Sequence, residues 1–261
     1  MKKGIFSVIT LAVLLSTLIV GCGVSSSGQK SMGDALVTNC ILPNSIQDNS
    51  LMGHWLSTDL PLKVSVHAGG AWSALEIEFL MNSANTWNSF YTASKGGAVF
   101  NYGTAASPNT STRLVTSPDC SQTTPADGTV IYKRPVWTKG STLIALTSFC
   151  TKSVVGGTLP IMYNGIIELN YQNYFVQTTG RFPDFQSIVT HELGHLLGLD
   201  HSCDSATSTR PKIACPSAEE EDPNQLRSTV MFPDWSLDSS GNGEIKRTLR
   251  SNDMGRANCL Y

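Results

Sequence analysis

Leu62, Val64 and Val66 alternate with Lys63, Ser65 and His67. That period of two predicts a half-buried strand. The period then lengthens. Ile77, Leu80, Ala84, Trp87 and Tyr91 fall three or four positions apart and share one face of a helix. Ahead of them, Ser73-Ala74-Leu75-Glu76 has capping-box spacing, in which side chains satisfy the free amides of the first turn. Residues 98–102, 130–132, 143–149 and 166–171 read as further strands, separated by Gly, Pro and Asn. A second helix is predicted from about Pro183-Asp184, with Asp184 as its cap. A short last helix runs from about Ser251 to Tyr261. Strand, helix, four strands, helix, loop and helix predict an α+β fold with a single sheet. No internal repeat is visible.

The chain ahead of that pattern reads differently. Residues 5–20 are apolar but broken by Ser7, Thr10, Ser16 and Thr17. They are too short and too mixed for a spanning helix, which needs ~20 apolar residues. With Lys2 and Lys3 in front, they read as a secretory signal. The run ends Ile19-Val20-Gly21-Cys22, which resembles the lipobox of bacterial lipoproteins. The resemblance implies that residues 1–21 are a lipoprotein signal peptide and that Cys22 carries lipid. An ordinary signal peptide with a chance cysteine is the alternative. Two or three acyl chains would anchor the protein stably, at about 0.8 kcal/mol per buried methylene. Residues 22–57 are rich in Ser, Gly, Asn and Gln and are expected to form an N-terminal tether, with a single domain over 58–261. Gly23 offers no inner-membrane retention signal of the enterobacterial kind. The expected location is therefore the bacterial cell envelope, on the outer membrane or the outer face of the cytoplasmic membrane.

Composition narrows the partners. The 261 residues suit one large domain or two small ones, and a hydrophobic fraction of 41% excludes a disordered chain. Net charge is −2. Residues 1–21 hold two of the 18 basic residues and none of the 20 acidic ones, so the rest of the chain carries −4. Without a basic footprint, nucleic acid is not expected as a partner. The protein is expected to act as a monomer.

The chemistry is concentrated in one segment, His191-Glu192-Leu193-Gly194-His195-Leu196-Leu197-Gly198-Leu199-Asp200-His201. One helical turn separates His191 from His195, so both project from the same face. Both can reach a metal ion at ~2.0–2.1 Å. Gly198 lets the chain leave the helix with positive φ. His201 can then swing back as a third ligand. Three protein ligands leave one position open for water, the mark of a catalytic zinc site. Glu192, next to the first ligand, is placed to take that water's proton. The bland alternative is a helix with two surface histidines, but Phe185, Ile188, Leu196 and Leu197 give this helix an apolar side.

H-E-x-x-H-x-x-G-x-x-H followed by a Met-turn is the metzincin signature, and this chain resembles that family. The candidate Met-turn is Ser228-Thr229-Val230-Met231-Phe232-Pro233. Ser202 after the third histidine, the segment Asp184-Phe185-Gln186-Ser187-Ile188-Val189-Thr190 and the ending Leu249-Arg250-Ser251-Asn252-Asp253-Met254 are similar to matrixins in particular. The resemblance spans about 58–261. It implies a five-stranded mixed sheet with an active-site helix and a C-terminal helix, and Met231 as a floor beneath the zinc. It also implies an edge strand that pairs with the peptide substrate. Leu143, Ile144, Ala145, Leu146 and Thr147 occupy that place in order. Unpaired edge amides and carbonyls can recognise any peptide backbone. The chain departs from the family in three ways. His201 and Met231 stand 30 positions apart, an insertion that also holds Cys203 and Cys215. Phe232 stands where many matrixins have Tyr. No long pro-segment is expected ahead of the domain.

Seven cysteines leave six once Cys22 is assigned to lipid. Six in an exported protein suit three disulfides, with fifteen pairings open. The preferred set is Cys203–Cys215 closing the insertion, Cys120–Cys150 bracing the edge strand, and Cys40–Cys259 pinning the tether to the last helix. The other reading of Cys40 is a thiol that caps zinc and holds the enzyme latent. Glu219-Glu220-Glu221-Asp222 and Asp238-Ser239-Ser240-Gly241-Asn242-Gly243 are weak calcium candidates, with a solvated loop and a plain turn as the alternatives. His54 and His67 have no partner at ligand spacing. The expected protein is thus a lipid-anchored, zinc-dependent endopeptidase acting on protein or peptide substrates. A non-catalytic or latent zinc-fold surface binding protein is the rival.

Overall fold

The computed structural model describes residues 34–42, 50–121, 125–154, 156, 159–176, 178, 180–203, 214–217, 221–222 and 225–261. The strands are β1 (Leu62–His67), β2 (Phe100–Asn101), β3 (Thr110–Ser111), β4 (Thr129–Arg134), β5 (Ala145–Lys152) and β6 (Ile161–Asn170). The helices are α1 (Ala74–Lys95), α2 (Phe185–Leu197) and α3 (Ser251–Ala257). The sheet order is β2-β1-β4-β6-β5, with β3 also on β1. Every pairing is parallel except β5 with β6, so the sheet is mixed. β3 is a sixth strand that hydropathy did not foreshadow, because two residues are too few to alternate.

The helices cover one face. Ile77, Leu80, Ala84, Trp87 and Tyr91 are all buried, as their spacing demands. They meet Val64, Val66, Ile131, Ile167 and Leu169 from the sheet and Leu193, Leu196 and Leu197 from α2 in one core. Two cross-links fix α1 against α2. Trp87 Nε1 donates to Thr190 O (2.9 Å), and Ser83 Oγ donates to Gln186 O (2.9 Å). The expected capping box closes the start of α1: Ser73 Oγ accepts from Glu76 N, and Glu76 Oε2 accepts from Ser73 N.

Two segments assigned by composition to the tether instead pack on the domain. Ile41 N donates to Gly255 O (2.9 Å), and Asn258 Nδ2 donates to Val37 O (2.6 Å). Further along, Leu51 bridges Leu199 and His54 bridges Ile161. Trp55 is fully buried and donates from Nε1 to Leu196 O (2.6 Å). These contacts are single bridges to distant segments, so they impose no periodicity on the sequence. The described residues all belong to the unit Gly33–Tyr261. None of their helices is long and apolar enough to cross a membrane. Cys22 and the rest of 1–33 lie outside the described residues.

Candidate active site

α2 is built to carry polar groups through a buried environment. Asp184 caps it, its carboxylate accepting from Ser187 N (2.9 Å) and Ser187 Oγ (2.6 Å). Arg247 Nε donates to the same carboxylate (2.8 Å). Burial alone would raise the Asp184 pKa, but the hydrogen bonds from Arg247 and Ser187 outweigh it and hold the carboxyl below its usual range. α2 ends at Gly198 with φ 115°. A Cβ there would also stand 2.0 Å from Gly53 O, so position 198 requires glycine twice over.

The chain then turns back, and three imidazoles meet. The candidate ligand atoms of His191, His195 and His201 all lie within 4.8 Å of one another. His195 Nε2 and His201 Nε2 are 3.2 Å apart. Two nitrogens at ~2.05 Å from a tetrahedral zinc would be roughly 3.3 Å apart, so the donor set fits that ion. The surrounding backbone fixes the tautomers. His191 Nδ1 donates to Val230 O (2.7 Å) and His195 Nδ1 donates to Leu199 O (2.8 Å). That leaves each Nε2 with a lone pair for metal, the usual outer arrangement of a metal-binding histidine. Burial, aided by the neighbouring His195 and His201, pushes the His191 pKa well down and keeps its ring neutral.

Met231 is fully buried and packs against α2 at Gly194. Its neighbour Gly194 shows how tight the contact is. A Cβ on Gly194 would stand 2.3 Å from Met231 Sδ and 3.0 Å from Trp87. The turn is held from behind by Asp253 on α3, whose carboxylate accepts from Val230 N (2.9 Å), Met231 N (3.2 Å) and Arg250 N (3.0 Å). Arg256, fully buried one turn on, donates from Nη1 to Asp200 O (2.8 Å). α3 therefore braces both the Met-turn and the loop carrying His201. Sequence reasoning singled out none of Gly194, Asp253 and Arg256.

The cleft beside the histidines has a volume of about 810 Å³. Its walls include Leu146, Thr147, Tyr174, Ile188, Pro233 and Trp235, with Glu192, His191, His195 and His201 on the floor. Trp235 meets His191 edge to face at 6.1 Å. Lys246 Nζ packs 4.6 Å over Phe232 and 5.0 Å over Trp235, bracing that wall. β5 is a sheet edge, as the substrate-strand reading requires. Ala145, Leu146 and Thr147 begin it, whereas Leu143 and Ile144 line the cleft just before the strand starts. Glu192 is buried beside the histidines, and its Oε2 accepts from Thr147 Oγ1 at 2.6 Å. Burial, opposed by the Thr147 hydrogen bonds, pushes its pKa up to about 7. A divalent cation on the three histidines would draw it down again.

The cysteines pair as Cys40–Cys259, Cys120–Cys150 and Cys203–Cys215. Cys40 is thus bonded to α3's end, away from the role of a zinc-capping thiol. The run at Asp238 is a turn whose own amides fill the carboxylate: Asp238 Oδ1 accepts from Ser240 N (2.8 Å) and Asn242 N (2.9 Å). Asp222 likewise accepts from Leu226 N and Arg227 N, both at 2.8 Å. Glu219 and Glu220 lie outside the described residues. His54 Nδ1 bonds Trp55 O (3.0 Å) and His67 packs on Tyr132, both away from the cluster.

A matrixin family model matches residues 137–225. That span takes in β5, β6, α2 and all three histidines, and it ends before Met231. A search of curated proteins finds no match. The chain is therefore similar to matrixins over the segment that builds the metal cluster and the edge of the cleft.

Proposed function

We propose that this protein is a zinc-dependent endopeptidase, tethered to the cell envelope by lipid on Cys22. The observation that carries the activity is the meeting of three imidazoles beside the buried Glu192 carboxylate, inside the matrixin-like span. Zinc on His191, His195 and His201 would supply a Lewis acid that acidifies water and polarises a carbonyl. Everything else falls to the chain. The free edge of β5 hydrogen-bonds an extended peptide as an added strand. Glu192 takes the proton of the attacking water on the carboxylate oxygen not engaged by Thr147, and returns it to the leaving amine. The Pro233–Trp235 wall and Ile188 receive the side chain beyond the scissile bond. A peptide or protein is the substrate class.

The activity is tested with purified protein and a proteome-derived peptide library read by mass spectrometry. Cleavage is expected, with loss on chelation and recovery on zinc addition. Glu192→Gln should reduce kcat by at least ~100-fold while binding zinc stoichiometrically. A wild-type protein that cuts nothing, or a Gln variant that cuts as well, would defeat the reading. The anchor is tested separately. Wild type expressed in a bacterial host should enter the detergent phase on partitioning, and Cys22→Ala should stay in the aqueous phase.

A further inference from the structure

One polar side chain interrupts an apolar row beside the candidate base. Ala145, Thr147 and Phe149 alternate along β5 on the face toward α2, and Ala145 and Phe149 both pack into the main core. Pattern alone would place a third apolar residue between them. Thr147 is there instead, and its hydroxyl reaches a single residue twice. Oγ1 lies 2.6 Å from Glu192 Oε2 and 3.1 Å from Glu192 O. The backbone of Thr147 is held in register against Ile167 of β6, so the hydroxyl is delivered from a rigid element rather than a loop.

Resting on the endopeptidase reading, we infer that Thr147 is the positioning residue for Glu192, fixing the carboxylate's rotamer. A hydroxyl has one proton and two lone pairs. Facing a carboxylate, Thr147 donates to Oε2. Anchored through Oε2, the Glu192 carboxylate is held in one orientation, with its other oxygen left for the water. The lever is large because a misplacement of about 1 Å in a reacting group can cost ~100-fold in rate.

The test compares Thr147→Val, which keeps the shape and removes the hydroxyl, with Thr147→Ser, which keeps the hydroxyl. The expected result for Val is a fall in kcat on the order of 10- to 100-fold, with KM and zinc stoichiometry within twofold of wild type. Ser should return kcat to within about threefold. A second readout needs neither metal nor turnover. The Glu192 carboxyl band of the metal-free protein, isolated by infrared difference against Glu192→Gln, should shift in the Val variant and return in Ser. Val with unchanged kcat, Ser as slow as Val, a loss confined to KM or zinc content, or a carboxyl band indifferent to the hydroxyl would each overturn the inference. If the wild type proved inactive, the infrared arm would still decide whether Thr147 holds Glu192, so failure of the activity and failure of the positioning stay distinct.

Discussion

At the scale of single residues, the cleft is a set of exclusions as much as a set of reactive groups. Gly194 carries nothing because Met231 Sδ occupies the space its Cβ would take. Met231 is hemmed in by its own turn, whose amides are tied to Asp253. Neither partner can give way cheaply, so Gly194→Ala should cost about 1–3 kcal/mol of stability, the usual range for overpacking. Urea unfolding of the metal-free protein measures it. In a Gly194→Ala/Met231→Ala double variant the penalty should shrink, because the smaller side chain removes the clash. Strict additivity would show that the two residues do not compete for the same space. The H-E-x-x-H pattern disclosed the histidines because ligand spacing is set by helix geometry alone. Gly194 sits inside the same motif yet its reason is tertiary, a contact across 37 positions that no local period records. Thr147 was readable only as part of the edge strand, and its contact with Glu192 escaped for a related cause: in a strand, Thr is as ordinary as Val.

At the scale of elements, the helices were legible and their fastenings were not. α1 was readable because one apolar stripe faces one core. Its cap was readable too, since Ser and Glu three apart satisfy amides within one turn. α3 is too short for a stripe and half its work is polar, through Asp253 and Arg256. The cap of α2 lies between these cases. Asp184 was readable as an N-cap, but its ion pair with Arg247, 63 positions away, was not. That pair makes a pH prediction with a definite sign. The folded pKa of Asp184 lies below the ordinary value, so its carboxylate contributes stability that is present above about pH 4. The contribution drains away as pH falls through the depressed folded value. Asp184→Asn keeps an acceptor for Ser187 N but loses the charge-assisted bonds from Arg247. The variant should be less stable by about 1–2 kcal/mol at pH 7, and the two unfolding curves should converge as pH falls through the depressed folded value. A gap that persists in acid would assign the loss to the cap and not to the ion pair.

At the scale of the whole molecule, both described ends of the chain converge behind the cleft. Residues 34–42 lie along α3, and Cys40 is bonded to Cys259 across 219 positions. Tyr261 Oη donates to Leu197 O (2.9 Å), at the end of the helix that carries two of the three histidines. Composition described residues 22–57 as a tether because Ser, Gly and Asn dominate there and no period survives. What holds the described parts of that segment is a disulfide and scattered backbone bridges, neither of which needs apolar alternation. The cross-link and the brace are separate devices, and they separate experimentally. A loop this long should make Cys40–Cys259 worth roughly 3–5 kcal/mol, chiefly by restricting the unfolded chain. A Cys40→Ala/Cys259→Ala variant should therefore unfold at markedly lower denaturant. The bonds from Asp253 and Arg256 to residues 200, 230 and 231 do not pass through the sulfurs. Below its unfolding transition the variant should consequently bind zinc with wild-type stoichiometry and cleave peptide at a rate within about twofold. Loss of zinc at temperatures where the variant is still folded would mean that the disulfide shapes the metal centre directly, and α3 would then be its messenger rather than an independent brace.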